Sequence, residues 1–417
     1  MKKLIQYSSF MLLVVFGLQT QAQNNRDLDN YRQPDKRGIN VFEAPKDTIS
    51  TFDGLKVRVG GSSTIQFQAL DHENSGVPLA NIGHNFNLAT ANLDLDVALY
   101  SGVRMHLRTY LSSRHHPEPY VKGGYIQIDK LDFVSQGFME DFMQYVTIKI
   151  GHMENNYGDA HFRRTDNAQS IYNPFIGNYL MDSFTTEVGG EVYLQKNGFL
   201  GMLGITNGKL NQAVTSPGTT SPSLLAKIGY DNYLMEDLRF RLTGSVYHTN
   251  QSASAYLYTG DRAGSRYYTV MEPVEGASFR SGRIDPGLKN ELTSFMINPF
   301  IKYKGLEFFG IFEQATGKLK TESNTRTWNQ YAAELIYRFG NDENLFLGGR
   351  YNLVEGELAD GNDVDIKRFQ LGGGWFMTKN ILTKVEYVNQ KYNGYNPDTI
   401  LHQGKFNGLM VEAAISF

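Results

Sequence analysis

The last nine residues constrain this chain more than any other segment. From Leu409 to Phe417 the odd positions are Leu409, Val411, Ala413, Ile415 and Phe417, and the even positions are Met410, Glu412, Ala414 and Ser416. Side chains alternate across a strand, so this segment carries one continuous apolar face and ends it on an aromatic ring. A strand of that kind needs an apolar medium or a second sheet against its outer face.

The rest of the chain decides between those two. No internal run approaches the ~20 apolar residues of a spanning helix, and mean hydropathy is −0.38. A barrel strand needs only about ten residues and turns half of them to a wet interior. The 25 Tyr and 26 Phe suit aromatic girdles, and the 42 Gly suit tight turns. Lys2 and Lys3, the apolar stretch Phe10 to Leu18, and Thr20-Gln21-Ala22 read as a cleavable export signal over 1–22. The absence of cysteine removes disulfides, thiolate metal sites, cysteine nucleophiles and a lipid-anchored cysteine.

Residues 23–54 form a polar, proline-bearing leader at the periplasmic side, lying against the barrel mouth. Period-two segments then recur at 55–70, 85–100, 103–113, 122–131, 145–153, 186–196, 199–207, 223–231, 238–248, 291–303, 306–316, 328–339, 345–355, 367–377, 381–391 and 405–417. Their connections alternate between long and short. Ser101-Gly102, Asn197-Gly198 and Lys304-Gly305 are short, and Asn-Gly is a favoured hairpin turn because both positions tolerate positive φ. The long connections include 154–185 and 249–290. Short turns on one side, long loops on the other and an even strand count predict an all-β fold: a 16-stranded antiparallel transmembrane β-barrel, 55–417, in the outer membrane. A soluble sandwich or propeller would share the alternation, but not the export signal, the loop asymmetry or the terminal Phe417.

Extending the alternation assigns a lumen face. Arg104, Arg108 and Tyr110 point inward while Met105 and Leu107 point to lipid; Asp94 and Asp96 point inward between Leu93, Leu95 and Val97. Charges avoid the lipid face because Lys or Arg there costs ~2–4 kcal/mol at mid-bilayer. Arg58, Arg104, Arg108, Lys149, Arg239 and Arg241 are therefore candidate pore-lining, anion-binding residues, since fixed charge in a low-dielectric wall sets selectivity. Inward acids such as Asp94 also allow these bases to brace the wall as cross-strand pairs. Loop 154–185 is too aromatic for a purely solvated loop. Folded inward it would constrict the pore, with Arg163 and Arg164 as anion contacts; packed over the barrel top it would hold both in ion pairs.

The strand Tyr145 to Gly151 leading into a glycine-bearing loop, followed by Thr186-Glu187-Val188-Gly189-Gly190-Glu191-Val192, resembles the phosphate-selective O and P type of outer-membrane porin. The resemblance runs loosely from Leu55 to Phe417. It implies passive anion diffusion, phosphate included, through a homotrimer whose third loop turns inward. The interspersed inward acids depart from that family's basic lining, and general porin behaviour is the broader expectation. The expected partners are outer-membrane lipids and lipopolysaccharide on the outside and small anionic or polar solutes within, with no nucleic acid, cofactor or metal.

Two other functions compete. An accessory barrel of a secretion or adhesion system would have a plugged lumen and bind protein through loop 249–290, where Tyr256, Tyr258, Tyr267 and Tyr268 cluster. An outer-membrane hydrolase would need a catalytic set near one rim; His152, His161 and Asp159 are the nearest material, and no spacing supports them. His115-His116 and the oxygen-rich run Asp360 to Asp365 read as ordinary loop residues rather than metal sites.

Overall fold

Every alternating segment of the sequence becomes a strand. The computed structural model describes residues 28–47, 50–112, 116–164, 169–208, 221–252, 254–259, 267–274 and 281–417, side chains at 88 and 112–121 excepted. The export-signal segment 1–22 and His115 lie outside the described residues. The first eight strands are β1 Lys56–Glu73, β2 Asn85–Tyr100, β3 Val103–Ser112, β4 His116–Ile128, β5 Val146–Glu154, β6 Thr186–Lys196, β7 Phe199–Thr206 and β8 Ser223–Met235. The second eight are β9 Leu238–Thr249, β10 Glu291–Tyr303, β11 Leu306–Lys318, β12 Arg326–Phe339, β13 Leu345–Glu357, β14 Asp363–Thr378, β15 Ile381–Asn393 and β16 Lys405–Ser416.

Each strand pairs antiparallel with the next in sequence, and β1 pairs with β16 to close the barrel. At that seam Gly61 N–H donates to the Phe417 carbonyl at 3.1 Å and Phe417 N–H donates back at 3.0 Å. Closure is required because an unpaired backbone edge in hydrocarbon costs several kcal/mol per group. At the turn between β6 and β7, Asn197 and Gly198 both have positive φ (52° and 85°), the geometry expected of an Asn-Gly hairpin. The connection from β4 to β5 is longer and carries the single-turn helix α1, Glu140–Met143.

The two faces of the sheet differ as the alternation requires. Leu203, Ile228, Leu347 and Leu371 are 70%, 72%, 59% and 56% exposed on the outer surface. Tyr100, Phe199, Tyr233, Tyr303, Tyr337 and Trp375 are also exposed, each near a short turn, and form an aromatic rim at that end. This apolar band has no place in water, and the barrel sits in the outer membrane. Inside, charge stands opposite charge in register: Asp94 faces Arg108, Lys149 faces Glu191, Glu334 faces Arg350 and Lys384 faces Glu412. The inward glycines of β14 make room for rings. A Cβ on Gly374 would fall 2.5 Å from the Phe346 ring, and one on Gly372 would touch Phe175.

Candidate functional site in the barrel lumen

Three segments enter the lumen and dock on the inward polar side chains. Loop 154–185 does so largely through its backbone. Asp159 N–H donates to Asn298 (2.8 Å), Ile176 N–H to Glu386 (2.6 Å), Leu180 N–H to Asn352 (2.7 Å) and Met181 N–H to Gln330 (3.0 Å). Lys384 Nζ donates to the carbonyls of Ser170, Asn173 and Phe175. Inward amides, carboxylates and one lysine thus satisfy a loop backbone that would otherwise be buried unpaired.

The fifth long loop enters from the same end. Tyr258 Oη donates to Glu313 (2.7 Å), Tyr267 Oη to Glu386 (2.5 Å) and Tyr268 N–H to Gln68 (2.8 Å). These three tyrosines are buried. The expectation that they present a protein-binding surface is therefore corrected: the hydroxyls of Tyr258 and Tyr267 and the amide of Tyr268 find inward acceptors, and all three side chains are buried. Tyr256 is half-buried.

The leader fills the opposite, short-turn end. Tyr31 Oη donates to Asp96 (3.1 Å), and Lys46 Nζ pairs with Asp129 (3.0 Å). Asn40 Nδ2 donates to Glu307 (2.6 Å), and Glu43 pairs with Arg241 (2.9 Å) and Lys227 (3.1 Å).

Most of the candidate anion-binding bases have a carboxylate. Arg108 grips Asp94 through Nε and Nη2, both at 2.6 Å. Arg58 and Arg104 share Asp96, at 3.4 and 3.3 Å, and Arg104 also donates to Gln127. Arg239 pairs with Asp231, and Arg241 with Asp159, Glu43 and Asp231. Arg163 binds Glu334 at 3.0 Å, and Arg164 binds Asp182 while its guanidinium lies over Phe184. Lys149 differs. It stands over the rings of Tyr125 and Tyr193 at 5.7 and 5.0 Å. Among the described residues it makes no ion pair or hydrogen bond.

Lys149 faces a chamber of about 140 Å³ between the wall β3–β5, the leader and loop 154–185. The chamber is lined by Arg32, Arg104, Arg108, Lys122 and Lys149, with Glu43 and Glu154 as its acids. Arg32 was not singled out from the sequence. It donates to the carbonyls of Gly38 and Phe162 and stacks over Tyr172 at 3.8 Å, and no carboxylate pairs with it among the described residues. Burial lowers its guanidinium pKa. Lys122 was also missed, because it occupies the bulge where β4 slips against β3 between Arg108 and Thr109. An extra residue there breaks the alternation that was used to choose inward positions.

Asp159 and His161 meet in a buried cluster rather than a catalytic set. The Asp159 carboxylate accepts from Arg241 (2.8 Å), Lys227 (2.7 Å) and Thr243 (2.8 Å). Burial opposes its charge, but Arg241 and Lys227 outweigh burial and hold it well below the usual carboxylate range. The same two cations overcome burial at Glu43 and bring it down to about 2. His161 Nε2 bonds Asn156 at 3.0 Å; burial first, then the Lys227 charge, push the imidazole well below its ordinary pKa.

The sign of the resulting pH dependence follows. His161 stays neutral when folded, while the unfolded imidazole takes a proton below ~6.5, so stability falls as pH drops below that value. The slope from this group is at most about 1.4 kcal/mol per pH unit. Asp159 and Glu43 add a second loss in the same direction below pH ~4, as pH falls toward their folded values. Urea midpoints in lipid vesicles between pH 7.5 and 5 are expected to fall, and to fall less steeply in His161→Asn. Equal slopes for the two proteins would refute a neutral buried His161.

Neither a family model nor a curated protein sequence matches the chain. Solved structures do. The anion-selective porin from Comamonas acidovorans aligns with a TM-score of 0.56 at 11% identity, over 87% of this chain and 100% of that one. The outer-membrane channel DcaP of Acinetobacter baumannii aligns with a TM-score of 0.53 at 13% identity, over 88% and 99%. OmpT, an outer-membrane protein of Vibrio cholerae, aligns with a TM-score of 0.53 at 10% identity, over 88% and 99%. The chain, a closed barrel of sixteen strands, shares its fold with these proteins.

Proposed function

We propose that this protein is a porin through which small polar or anionic solutes, phosphate among them, diffuse passively. The observation that carries the reading is the chamber on whose wall Lys122 and Lys149 join Arg104 and Arg108, so that basic side chains outnumber the acids Glu43 and Glu154 in its lining. A cation already neutralised by a carboxylate attracts a passing anion weakly. Several cations gathered on one wall leave a net positive field, which low-dielectric walls focus. In this reading Arg104 and Arg108 add donors at the chamber wall. Arg58, Arg163, Arg164, Arg239 and Arg241 act through their ion pairs, shaping the lumen rather than meeting the solute directly. The constriction is loop 154–185. A trimer is proposed by analogy with OmpT of Vibrio cholerae, one of whose structures is described as a trimer form.

Planar-bilayer reversal potentials under a salt gradient test the reading. One unit charge at 4 Å in water is worth about 1 kcal/mol, so Lys149→Gln is expected to lower the anion-to-cation permeability ratio about fivefold. An unchanged potential would remove Lys149 from the path. The competing accessory-barrel reading is favoured by the filled lumen, but the tyrosines Tyr258, Tyr267 and Tyr268 on which it drew are buried.

A further inference from the structure

The leader crosses the short-turn mouth from one wall to the other. It touches β2 through Tyr31, the end of β4 through Lys46, β8 and β9 through Glu43, and β11 through Asn40. Lys36 N–H donates to the Lys379 carbonyl in the turn between β14 and β15, at 2.9 Å.

This leader strap is attached differently from loop 154–185. Among its described residues only Leu28 and Phe42 are fully buried large apolar side chains, whereas the loop buries Ile176, Tyr179, Leu180 and Met181 at 2% exposure or less. Segments with few buried apolar contacts open most readily. The wall also keeps its charge balance without the leader. If Glu43 leaves, Arg241 and Lys227 retain Asp159. If Asn40 leaves, Glu307 retains Arg338 at 2.7 Å. If Tyr31 leaves, Asp96 retains Arg104 and His106. Loop 154–185, by contrast, supplies Asp159 itself, so its withdrawal would remove the fully buried carboxylate shared by two buried cations and leave them to Glu43 and Asp231.

We infer that residues 28–47 are a self-inserted, detachable stopper of the periplasmic mouth, anchored by Phe42 and latched by Glu43, and that solute passage requires it to leave. The inference rests on the diffusion reading above and adds a gate to it.

The chain has no cysteine, so thiols can be placed at will in the full-length protein. Lys46 Nζ and Thr147 Oγ1 lie 3.3 Å apart. Lys46→Cys with Thr147→Cys can therefore be joined by a short, reducible bis-methanethiosulfonate. Joining them is expected to lower single-channel conductance at least tenfold, and reductant is expected to restore it. Glu43→Gln is expected to raise the open fraction severalfold. In Phe42→Cys, uptake of an impermeant maleimide reports departure of the strap independently of current. Equal conductance in the joined and free states overturns the stopper and leaves the diffusion reading standing. Maleimide uptake without current overturns both. No uptake at position 42 overturns a detachable strap.

Discussion

Asp159→Ala is expected to destabilise the protein by about 3–5 kcal/mol, the range for removing one partner from a buried charge cluster. Asp159 is fully buried and is the carboxylate on which Arg241 and Lys227 converge from β9 and β8. After truncation the guanidinium and ammonium lie close together inside the barrel, with Glu43 of the leader as their shared remaining acid. Unfolding midpoints in lipid vesicles measure the loss, and limited proteolysis within 156–163 reports whether the loop has come free. Asp159→Asn, which keeps the shape and an acceptor, is expected to lose less. Glu43→Ala is expected to lose less again, because Asp159 still serves both cations. If Asp159→Ala and Glu43→Ala cost the same, the loop carboxylate is not the centre of the cluster.

The second large effect tests the other face. Leu203 projects from β7 with 70% of its surface exposed, beside Ile205 at 54%. In a lipid-facing position Leu203→Arg is expected to cost about 2–4 kcal/mol near the bilayer midplane. Leu203→Ala, which removes apolar surface without adding charge, is the control and is expected to cost far less. Reversible unfolding from vesicles provides the comparison. An arginine tolerated there as well as alanine would mean that β7 does not face hydrocarbon.

The strands were legible because a barrel wall imposes opposite chemistries on consecutive side chains. The readable stretches are those that cross the membrane. Where a strand continues beyond lipid, both faces are wet and the alternation fades, so β1 runs on through Asp71, His72 and Glu73. For the same reason β8 runs on to Met235, and β14 starts at Asp363 rather than 367. β4 begins at His116, before Pro117 and Pro119, which discourage a strand reading because proline cannot donate to a ladder. The bulges that shift its register against β3 accompany them. The lumen contents were less readable. Arg32 and Glu43 sit in a non-periodic leader, where no rule says which way a side chain points. Their roles appear only when β3–β5, β8 and β9 are brought around them. For Arg163 and Arg164 the sequence allowed both a constriction and an ion-paired role, because carboxylate partners 18 and 171 positions away cannot be paired by spacing alone.

The seam between β1 and β16 has a consequence for how the cylinder is made. Gly61 and Phe417 lie at opposite ends of the chain, and the bonds they exchange complete the ring. Until β16 arrives, both margins of the growing sheet carry open rows of amides and carbonyls, which hydrocarbon will not accept and which invite pairing with stray chains. Insertion and completion are therefore coupled: the margins stay open until the final segment is at hand, and that segment commits the whole wall at once.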